Sequence, residues 1–585
     1  MRQIAAVMLM LVCTGAWAGP IEDSGIKGAV TENKTAKTPE SLEITITGKL
    51  LLIPVAKGNK PYVRGKKPSK LSVRVDGTLI HLNQVHLAQT KEDVNWWATL
   101  DMSKYIGKKA VLMMSDPVDR PGLTLIESAD KARYILPLYN EAFRPQFHFS
   151  QRTGWNNDPN GLVYYDGEWH LFYQYCPLSL GHADKHWGHA VSKDLVHWEE
   201  LPIALYAWTQ AKGHCFSGSA VVDHKNTAGL QKGNKPPIIA VFSDFGAGVG
   251  EALAYSNDRG RTFTYYKGNP VLKQPGNDPK VIWYKYGKSD QPLNAEAKKL
   301  GGHWVMAVYN HKREYGKNIA FFTSVDLKKW TEQSHLPGYS ECPELFELPV
   351  GGDKQNTRWV VFGANAEYAI GQFDGRTFTP EHKGKHRVHY QKCFAAQTFS
   401  NTPDGRCIQI GWARVHLPGM PFSQTFTFPI RLTLRQTPDG IRMFAKPVKE
   451  IAKLRKKTHT APSAKLTPDS PSILPVSGEL FEIRAEFAIG EAKSVGIEFG
   501  GNRVVYDVAA GKMWDAFMKP VDGKISIQIL ADRPMMEICG NDGAVYITMN
   551  RRKRGKVSSI KAFANGGQGQ LISLKIHELK SIWNK

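Results

Sequence analysis

The sequence lacks any apolar run long enough to cross a membrane as a helix. Such a helix needs about 20 apolar residues, whereas the apolar stretch over residues 4–12 is much shorter. It follows the positive Met1-Arg2 start and precedes the small-x-small site Ala16-Trp17-Ala18, a pattern typical of a secretory signal peptide. We therefore predict a signal peptide over residues 1–18, no integral membrane segment, and a secreted protein, extracellular or periplasmic.

Cysteine is also scarce, with seven in 585 residues, of which Cys13 lies in the predicted signal peptide. The other six are scattered and form no compact disulfide framework. Cys393 and Cys407 are the nearest pair, but a turn at Pro403 leaves them out of register. We expect mostly free, buried thiols.

Long amphipathic helices and metal-ligand spacings are likewise missing, and nothing in the sequence indicates a nucleotide. We expect no metal and no cofactor. The net charge is +22, with basic runs at residues 455–457 and 551–554. Because no nucleic-acid-binding fold accompanies them, we interpret these runs as solvated faces and expect no nucleic-acid partner. The sequence leaves the oligomeric state open.

An internal repeat is the strongest organising feature. A short apolar run is followed by Ser-x-Asp and then an aromatic residue, beginning at Ser192, Ser256 and Ser324, with a looser copy over residues 373–378. The copies recur roughly every 60 residues, which is typical of β-propeller blades with the aromatic residue packed between them. Residues 141–450 then predict a five-bladed β-propeller.

The flanking segments complete an all-β fold. Alternating apolar residues predict a small N-terminal β module over 41–140 and a C-terminal β-sandwich over 476–585. Residues 19–40 are predicted to be disordered. Residues 451–475 begin with a short helix and are rich in Thr, Ser, Pro and Lys, which predicts a linker.

Three acidic motifs are placed to meet at the centre of such a propeller, where the strand ends of successive blades converge. They are WNNDPNG over 155–161, NDPK over 277–280 and ECPEL over 341–345, and they carry Asp158, Asp278 and Glu341. Taken one at a time, Asp158 and Asp278 also fit simple turn formers, since Asp-Pro-Asn-Gly is a turn sequence. The set, rather than any single motif, predicts an active site.

These motifs, in order along the chain, closely resemble glycoside hydrolase family 32, which contains invertases, inulinases, levanases and fructosyltransferases. The further motifs that carry the resemblance are YQYCP (173–177), WGHAVS (187–192), FSGS (216–219), QTF (397–399), IGW (410–412), Asp532-Arg533 to Glu537, and NDG (541–543). The resemblance covers about residues 141–585 and implies a five-bladed propeller followed by a β-sandwich.

The same resemblance implies a retaining β-fructosidase. Asp158 would be the nucleophile, Glu341 the general acid and base, and Asp278 the stabiliser of the transition state. In a retaining enzyme the nucleophile and the acid lie about 5 to 5.5 Å apart, and the charges of Asp158 and Asp278 would raise the pKa of Glu341. The implied substrate contacts are Asn157, Gln174, Phe216, Ser217, Asn277 and Trp412.

Three departures from the family pattern surround this predicted site. Asn277 replaces the usual Arg before Asp278, residues 392–395 read KCFA in place of Asp-Phe-Tyr-Ala, and His182 stands about where a Trp is common. For Phe216 and Trp412 a role as core aromatics between blades remains open.

The predicted substrates are fructan (levan or inulin), fructo-oligosaccharide or sucrose, with a lean towards the polymer because of the accessory β modules. Two alternatives stay open, fructosyl transfer to sugars and fructan binding with weak catalysis. The sequence does not separate exo from endo action.

Overall fold

The computed structural model describes residues 40–58, 68–246, 250–312 and 314–583. The predicted signal peptide and nearly all of the predicted disordered segment lie outside these residues. The described chain is almost entirely β, with 55% strand and 5% helix, and the all-β prediction is confirmed. No helix in these ranges is long and apolar enough to span a membrane.

The N-terminal part is a small two-sheet β module around its own apolar core. One sheet has the order β1-β6-β3-β4 and the other β5-β2-β7. Alternating burial along β3 shows why the Leu71-Ser72-Val73 pattern forms a strand, since every second side chain enters the core. The strands are β1 (Ser41–Thr45), β2 (Leu50–Ala56), β3 (Lys70–Val75), β4 (Thr78–Gln84), β5 (Val94–Asp101), β6 (Lys109–Met114) and β7 (Glu127–Ala129).

Five four-stranded antiparallel units follow. The first three are β8 (Gly154–Tyr165), β9 (Glu168–Cys176), β10 (His186–Ser192) and β11 (Trp198–Leu205); β12 (Gly213–Val222), β13 (Ile238–Gly246), β14 (Gly250–Ser256) and β15 (Thr264–Tyr265); and β16 (Gly276–Lys285), β17 (Gly302–Asn310), β18 (Asn318–Ser324) and β19 (Thr331–Pro337), with helix α1 (Ala295–Leu300) between β16 and β17.

The fourth and fifth units are linked into one larger sheet. The fourth is β20 (Glu344–Val350), β21 (Asp353–Phe362), β22 (Glu367–Phe373) and β23 (Phe378–Pro380), followed by the short strands β24 (His386–Arg387) and β25 (His389–Gln391). The fifth is β26 (Cys393–Thr398), β27 (Cys407–Ala413), β30 (Ile430–Thr437) and β31 (Gly440–Pro447), with the short β28 (Phe422–Ser423) and β29 (Thr425–Phe426) inserted.

The five units close into a ring around their first strands. Strands β8, β12, β16 and β20 contact one another in order, and β26 contacts β8. The short β28 also pairs with β8 in parallel, which joins the end of the propeller region to its start. This arrangement brings the first strand of every unit to the centre.

The Ser-x-Asp repeat lies at the turn between the third and fourth strands of a unit. In the first unit Asp194 accepts hydrogen bonds from the Ser192 hydroxyl and from the backbone N–H groups of Val196 and His197. The same Ser-to-Asp bond recurs at Ser256 and at Ser324. An Asp that accepts from its own backbone a few residues on stabilises a tight turn, which explains why the repeat marks the first three units.

A two-sheet β-sandwich forms the C-terminal part around a separate apolar core. Strand β25 from the propeller region pairs in parallel with β42 of the sandwich. The strands are β32 (Arg455–Ala461), β33 (Ala464–Leu466), β34 (Ser472–Gly478), β35 (Phe481–Ala488), β36 (Ser494–Phe499), β37 (Asn502–Asp507), β38 (Lys512–Met513), β39 (Ala516–Phe517), β40 (Lys524–Ala531), β41 (Met535–Gly540), β42 (Val545–Asn550), β43 (Val557–Asn565) and β44 (Gly569–Leu579).

The segment 451–475 is structured, contrary to its interpretation as a linker. A 3₁₀ helix over Lys449–Leu454 leads into β32 and β33, which both pair with β44, and β34 begins at Ser472. Strand β32 lies at the edge of its sheet and is largely exposed. Exposed edge strands often carry Lys because its charge discourages pairing with other chains, and the resulting polar composition is similar to that of a linker.

Candidate active site

The predicted site residues lie where the innermost strands of the propeller are irregular. In four of the five units the pairing register of the first strand shifts near the start of that strand, and a bulge of this kind re-aims the side chains at that point. The shifts fall between Asn156 and Pro159, Cys215 and Gly218, Asn277 and Lys280, and Phe394 and Gln397. Asp158, Ser217 and Asp278 therefore turn out of the regular ladder at the same level of the ring.

Two of the three carboxylates also sit on strained backbone. Asp278 has φ +66°, and Glu341 and Cys342 each have φ +43°. These values lie in the left-handed region, which residues other than Gly seldom adopt outside turns and functional sites. The Asp278 backbone N–H donates to the Ser243 hydroxyl of the second unit at 2.9 Å, and the Glu341 carbonyl accepts from the Ala364 N–H of the fourth unit at 3.1 Å, so each conformation is held by a hydrogen bond to a residue distant in sequence.

Cys342 joins the carboxylates in space. Its backbone N–H donates to Asp278 Oδ2 at 3.0 Å, and its thiol lies 3.4 Å from the same oxygen and 3.6 Å from Asp158 Oδ2. Glu341 directly precedes Cys342. Carboxylates that are far apart in sequence are thus brought to one point, with Ser217 donating to Asp158 Oδ2 at 2.7 Å.

The crowded carboxylates hold protons more tightly than carboxylates in water. Burial and the charge of Asp278 raise the pKa of Asp158 to about 6, against the opposing effect of Ser217 and Lys185. Withdrawal from water and the charges of Asp278 and Asp158 raise the pKa of Glu341 to about 7. The Glu341 residue as a whole is exposed to solvent, but two adjacent negative charges also raise its pKa. Burial also raises the pKa of Asp278.

A buried polar chain behind Asp278 was missed by the sequence-based reasoning. Ser243, which holds the Asp278 N–H, donates to Glu251 Oε2 at 2.8 Å, and Gln274 donates to the other oxygen of Glu251 at 2.8 Å. Burial raises the pKa of the fully buried Glu251 to about 8. One feature of the sequence pointed to it, because Glu251 is the lone charge at the start of the apolar run Ala252-Leu253-Ala254.

The predicted substrate contacts fall into two groups. Ser217 touches a carboxylate directly, and Asn277, next to Asp278 in the chain, opposes the rise in the pKa of Asp278. Gln174 and Phe216 instead contact other residues. Gln174 donates to the Cys215 carbonyl at 2.8 Å, and Phe216 stacks on Phe245 with ring centroids 4.8 Å apart.

The other two predicted contacts carry buried polar atoms that have no hydrogen-bond partner among the described residues. These atoms are Asn157 Oδ1 and Trp412 Nε1. The Trp412 ring is perpendicular to that of Trp155, with centroids 6.0 Å apart. A buried polar atom without a partner is costly, so both atoms are suited to a hydroxyl-bearing ligand.

A cavity opens at this place, and its lining comes from several units of the ring. Its walls are Pro159, Ser217, Gly218, Asp278, Cys342, Pro343, Glu344, Ala395, Ala396 and Gln397. Within the described ranges no cluster of three or more His, Cys, Asp or Glu side chains is arranged to hold a metal ion. The chemistry offered by the residues in place is that of carboxylates in several protonation states, hydroxyl and amide donors, and aromatic faces.

Comparison with known proteins agrees with this geometry. The family profile described as "Glycosyl hydrolases family 32 N-terminal domain" matches residues 148–447, and that described as "Glycosyl hydrolases family 32 C terminal" matches residues 450–578. The chain is 36% identical to a levanase of Bacillus subtilis (strain 168) over 521 residues, which is 79% of this chain and 74% of the levanase. It is 31% identical to an invertase of Schizosaccharomyces pombe, covering 76% and 87% of the two chains.

A solved structure shows the same fold. A β-fructofuranosidase from Schwanniomyces occidentalis, complexed with fructosyl-erythritol, matches with a TM-score of 0.66 and 26% identity over 76% of this chain and 99% of the other. Since the family profiles together cover both the propeller and the sandwich, this chain belongs to glycosyl hydrolases family 32 and is a glycoside hydrolase of the β-fructofuranosidase type.

Proposed function

We propose that the protein is a secreted, retaining β-fructosidase that removes terminal β-fructofuranosyl units from fructan, fructo-oligosaccharide or sucrose. The observation that carries the proposal is the convergence of Asp158 and Asp278 on Cys342, the residue next to Glu341. A pair of carboxyl groups on opposite sides of a glycosidic bond is what this chemistry needs.

In the first step the Asp158 carboxylate attacks C2 of the fructosyl unit and forms an ester. The bond from C2 to the departing oxygen breaks, and Glu341 gives that oxygen its proton. The difference in pKa supports these two roles. Glu341 has the higher pKa and keeps its proton at a pH at which Asp158 has lost its own.

In the second step Glu341, now a carboxylate, takes a proton from water while the water oxygen attacks C2. The ester to Asp158 breaks and fructose leaves with retained configuration. Asp278 forms no covalent bond; it binds hydroxyls of the ring, and this interaction strengthens as positive charge develops at C2. Asn277, which favours the ionised form of Asp278, stands where family members usually have an arginine.

The substrate class rests on chemistry and on the relatives together. One relative is named a levanase and another an invertase, and both names fit a terminal fructosyl group as the unit transferred. We favour polymeric fructan, because two accessory β domains flank the propeller and suit a large substrate.

The decisive experiment replaces Asp158 with asparagine and follows the products. The variant Asp158→Asn keeps the size of the side chain but cannot form the ester, so kcat should fall by several orders of magnitude while the fold is retained. If the barrier rose by less than about 1.4 kcal/mol, so that kcat fell by less than about tenfold, the assignment of Asp158 as nucleophile would be contradicted. Asp469→Asn, at an exposed aspartate of the sandwich, is the matched control.

Product analysis on levan, inulin, a fructo-oligosaccharide and sucrose tests the substrate and the reaction together. We expect free fructose from chain ends to be the main product, released fastest from a polymer. Lengthened oligosaccharides in place of fructose would establish a transferase, and binding of fructan without turnover would establish a binding protein.

A further inference from the structure

The loop between β9 and β10, residues 177–185, connects the N-terminal module to the active site. Near its start, Leu178 is buried in the apolar core of the module and Leu180 packs against that core. The family profiles begin only at residue 148, so the module lies outside the matched region. A propeller loop is thus packed into a domain that lies outside the residues matched by the family profiles.

Near its end the loop is hydrogen-bonded to the last residues of β4 in the module. The buried Asp184 carboxylate accepts the backbone N–H of Gln84, the Gln84 side-chain amide at 3.3 Å and the Trp208 indole N–H at 2.6 Å. Next to it, His186 Nε2 lies 3.0 Å from Asn83 Oδ1.

The tautomer of His186 is fixed by its second contact. Its Nδ1 lies 3.0 Å from the backbone N–H of Ala207, which can only donate. Burial lowers the pKa of His186 to about 3, so the ring is neutral, Nδ1 accepts, and Nε2 carries the proton that it donates to Asn83. A hydrogen bond from His186 to Asn83 therefore joins the end of the loop to the module, and both residues are buried.

Lys185 lies between Asp184 and His186, which are both hydrogen-bonded to the module, and it faces strand β8. Its side chain is buried, with the residue 8% exposed, and Nζ lies 4.3 Å from the centroid of the Trp155 ring. Nζ also lies 3.1 Å from Nδ1 of His182, which accepts because the ammonium only donates. Trp155 precedes Asp158 by three residues on β8, so the ammonium stands beside the strand that carries the proposed nucleophile.

Asp158 is surrounded by charged and hydrogen-bonding groups from several elements. The negative groups are Asp278 and Glu341. The positive groups are Lys185 and Arg414, and Arg414 is stacked on Phe394. The hydrogen-bond donors are the Ser217 hydroxyl and the Cys342 thiol. Of the two cations, Arg414 is exposed, which leaves its charge open to screening by water. Lys185 is the buried cation, and the module fixes the residues on both sides of it.

We propose that Lys185 is a positioning residue of the active site and that the N-terminal module holds it in place. The Lys185 ammonium orients the Trp155 ring and keeps Asp158 ionised for attack. The inference rests on the proposed role of Asp158. It gives the module a function, because Asn83 and Gln84 set the place of a charge that acts on the reacting carboxylate.

The first test compares the pH dependence of kcat/KM for Lys185→Met and Lys185→Arg on sucrose. Removing the ammonium makes ionisation of Asp158 harder, so the acidic limb of the Met variant should move to higher pH by about half a unit. The Arg variant, which retains the charge, should leave the limb in place. Lys512→Met is the matched control, since Lys512 also lies over an aromatic ring, Phe517, but in the sandwich.

The second test asks whether the module acts through Lys185. Asn83→Ala should shift the acidic limb in the same direction by a smaller amount, and in the Lys185→Met background it should add no further shift. If Asn83→Ala does not fold, Gln84→Met, which loses one donor to Asp184, takes its place. Full additivity of the two shifts would contradict the role of the module.

The outcomes separate this inference from the proposed function. An inactive Asp158→Asn with an unmoved acidic limb in Lys185→Met leaves the nucleophile in place and refutes the role of Lys185. An active Asp158→Asn refutes the proposed function itself, whatever the lysine variants do. A limb that moves equally in the Met and Arg variants indicates a packing role without the charge and also overturns the proposal.

Discussion

At the scale of single residues, the three carboxylates share one small space and cannot all be ionised at little cost. The pKa of Asp158 is raised to about 6 and that of Glu341 to about 7. The proposed mechanism needs Asp158 without its proton and Glu341 with it. That combination is most populated between the two values, and because the groups interact, the limbs of the profile belong to the pair.

We therefore predict a bell-shaped dependence of kcat/KM on pH, with its maximum between about 6 and about 7. Activity falls at lower pH because Asp158 takes up a proton, and at higher pH because Glu341 loses one. Initial rates of fructose release from sucrose at constant ionic strength measure the profile. Persistence of the alkaline limb in Glu341→Gln would show that this limb has another origin.

Replacing Glu341 separates the mechanism from the location of the site. Glu341→Ala should nearly abolish hydrolysis of sucrose and fructan, whose leaving groups need a proton, and should spare the first step on an activated aryl fructoside. The ester at Asp158 should then accumulate, and azide should restore turnover because it needs no base. Chromatography and NMR of the product should show a fructosyl azide of retained configuration; inversion would exclude the two-step mechanism.

At the scale of elements, the floor of the site depends on a buried ion pair between the third and fourth units. Lys280, on the bulged strand of Asp278, contacts Glu344 Oε2 at 2.9 Å and the Thr398 carbonyl and hydroxyl at 3.0 Å each. Both charged side chains are almost fully buried. Lys280 thus bonds to strands of the fourth and fifth units, and Glu344 Oε2 also accepts from the Thr398 N–H at 2.8 Å, so the pair helps to fix how the first strands meet.

Removing one partner should be worse than removing both. Lys280→Met leaves the Glu344 charge buried without its cation and should lower the free energy of unfolding by about 3 to 5 kcal/mol. In Lys280→Met/Glu344→Gln most of that loss should return, because no uncompensated charge remains. Urea denaturation followed by fluorescence measures both variants, and a double variant as unstable as the single one would contradict this account.

At the scale of the whole molecule, the sandwich is held to the propeller by a buried histidine. His148 Nδ1 lies 2.8 Å from Asp532 Oδ2, and Nε2 lies 3.4 Å from Glu537 Oε2. Burial by itself would lower the pKa of His148, but the charges of Glu537 and Asp532 outweigh it and raise the pKa to about 9. The imidazolium is thus more stable in the folded protein than in the unfolded chain.

Such a histidine makes stability depend on pH. Its contribution, on the order of 3 kcal/mol, is complete below the unfolded pKa of about 6.5 and is lost as pH rises through about 9. We predict that the free energy of unfolding declines between about pH 6.5 and about pH 9. Urea titrations at several pH values measure the decline, and His148→Gln should flatten it; an equal slope in that variant would assign it to other groups.

Much of this protein was determined by local sequence. The Ser-x-Asp repeat defined the units because each turn is stabilised by bonds within a few residues, and alternation defined the outer β domains because a strand exposes every second side chain. Asp158, Asp278 and Glu341 could be proposed as a set because three short acidic motifs occur in the order that the family resemblance implies, although Asp158 and Asp278 taken singly also fit turns. The β32 to β34 region was misread because an exposed edge strand and a linker have the same composition.

Only the tertiary structure decided what depends on contacts between distant residues. The bulges at Asp158 and Asp278, the support of Asp278 by Ser243 and Glu251, and the anchoring of Lys185 by Asn83 each join elements that are separated in sequence. No local pattern encodes such pairs, because the free energy of a buried polar group is set by the partner that folding brings to it.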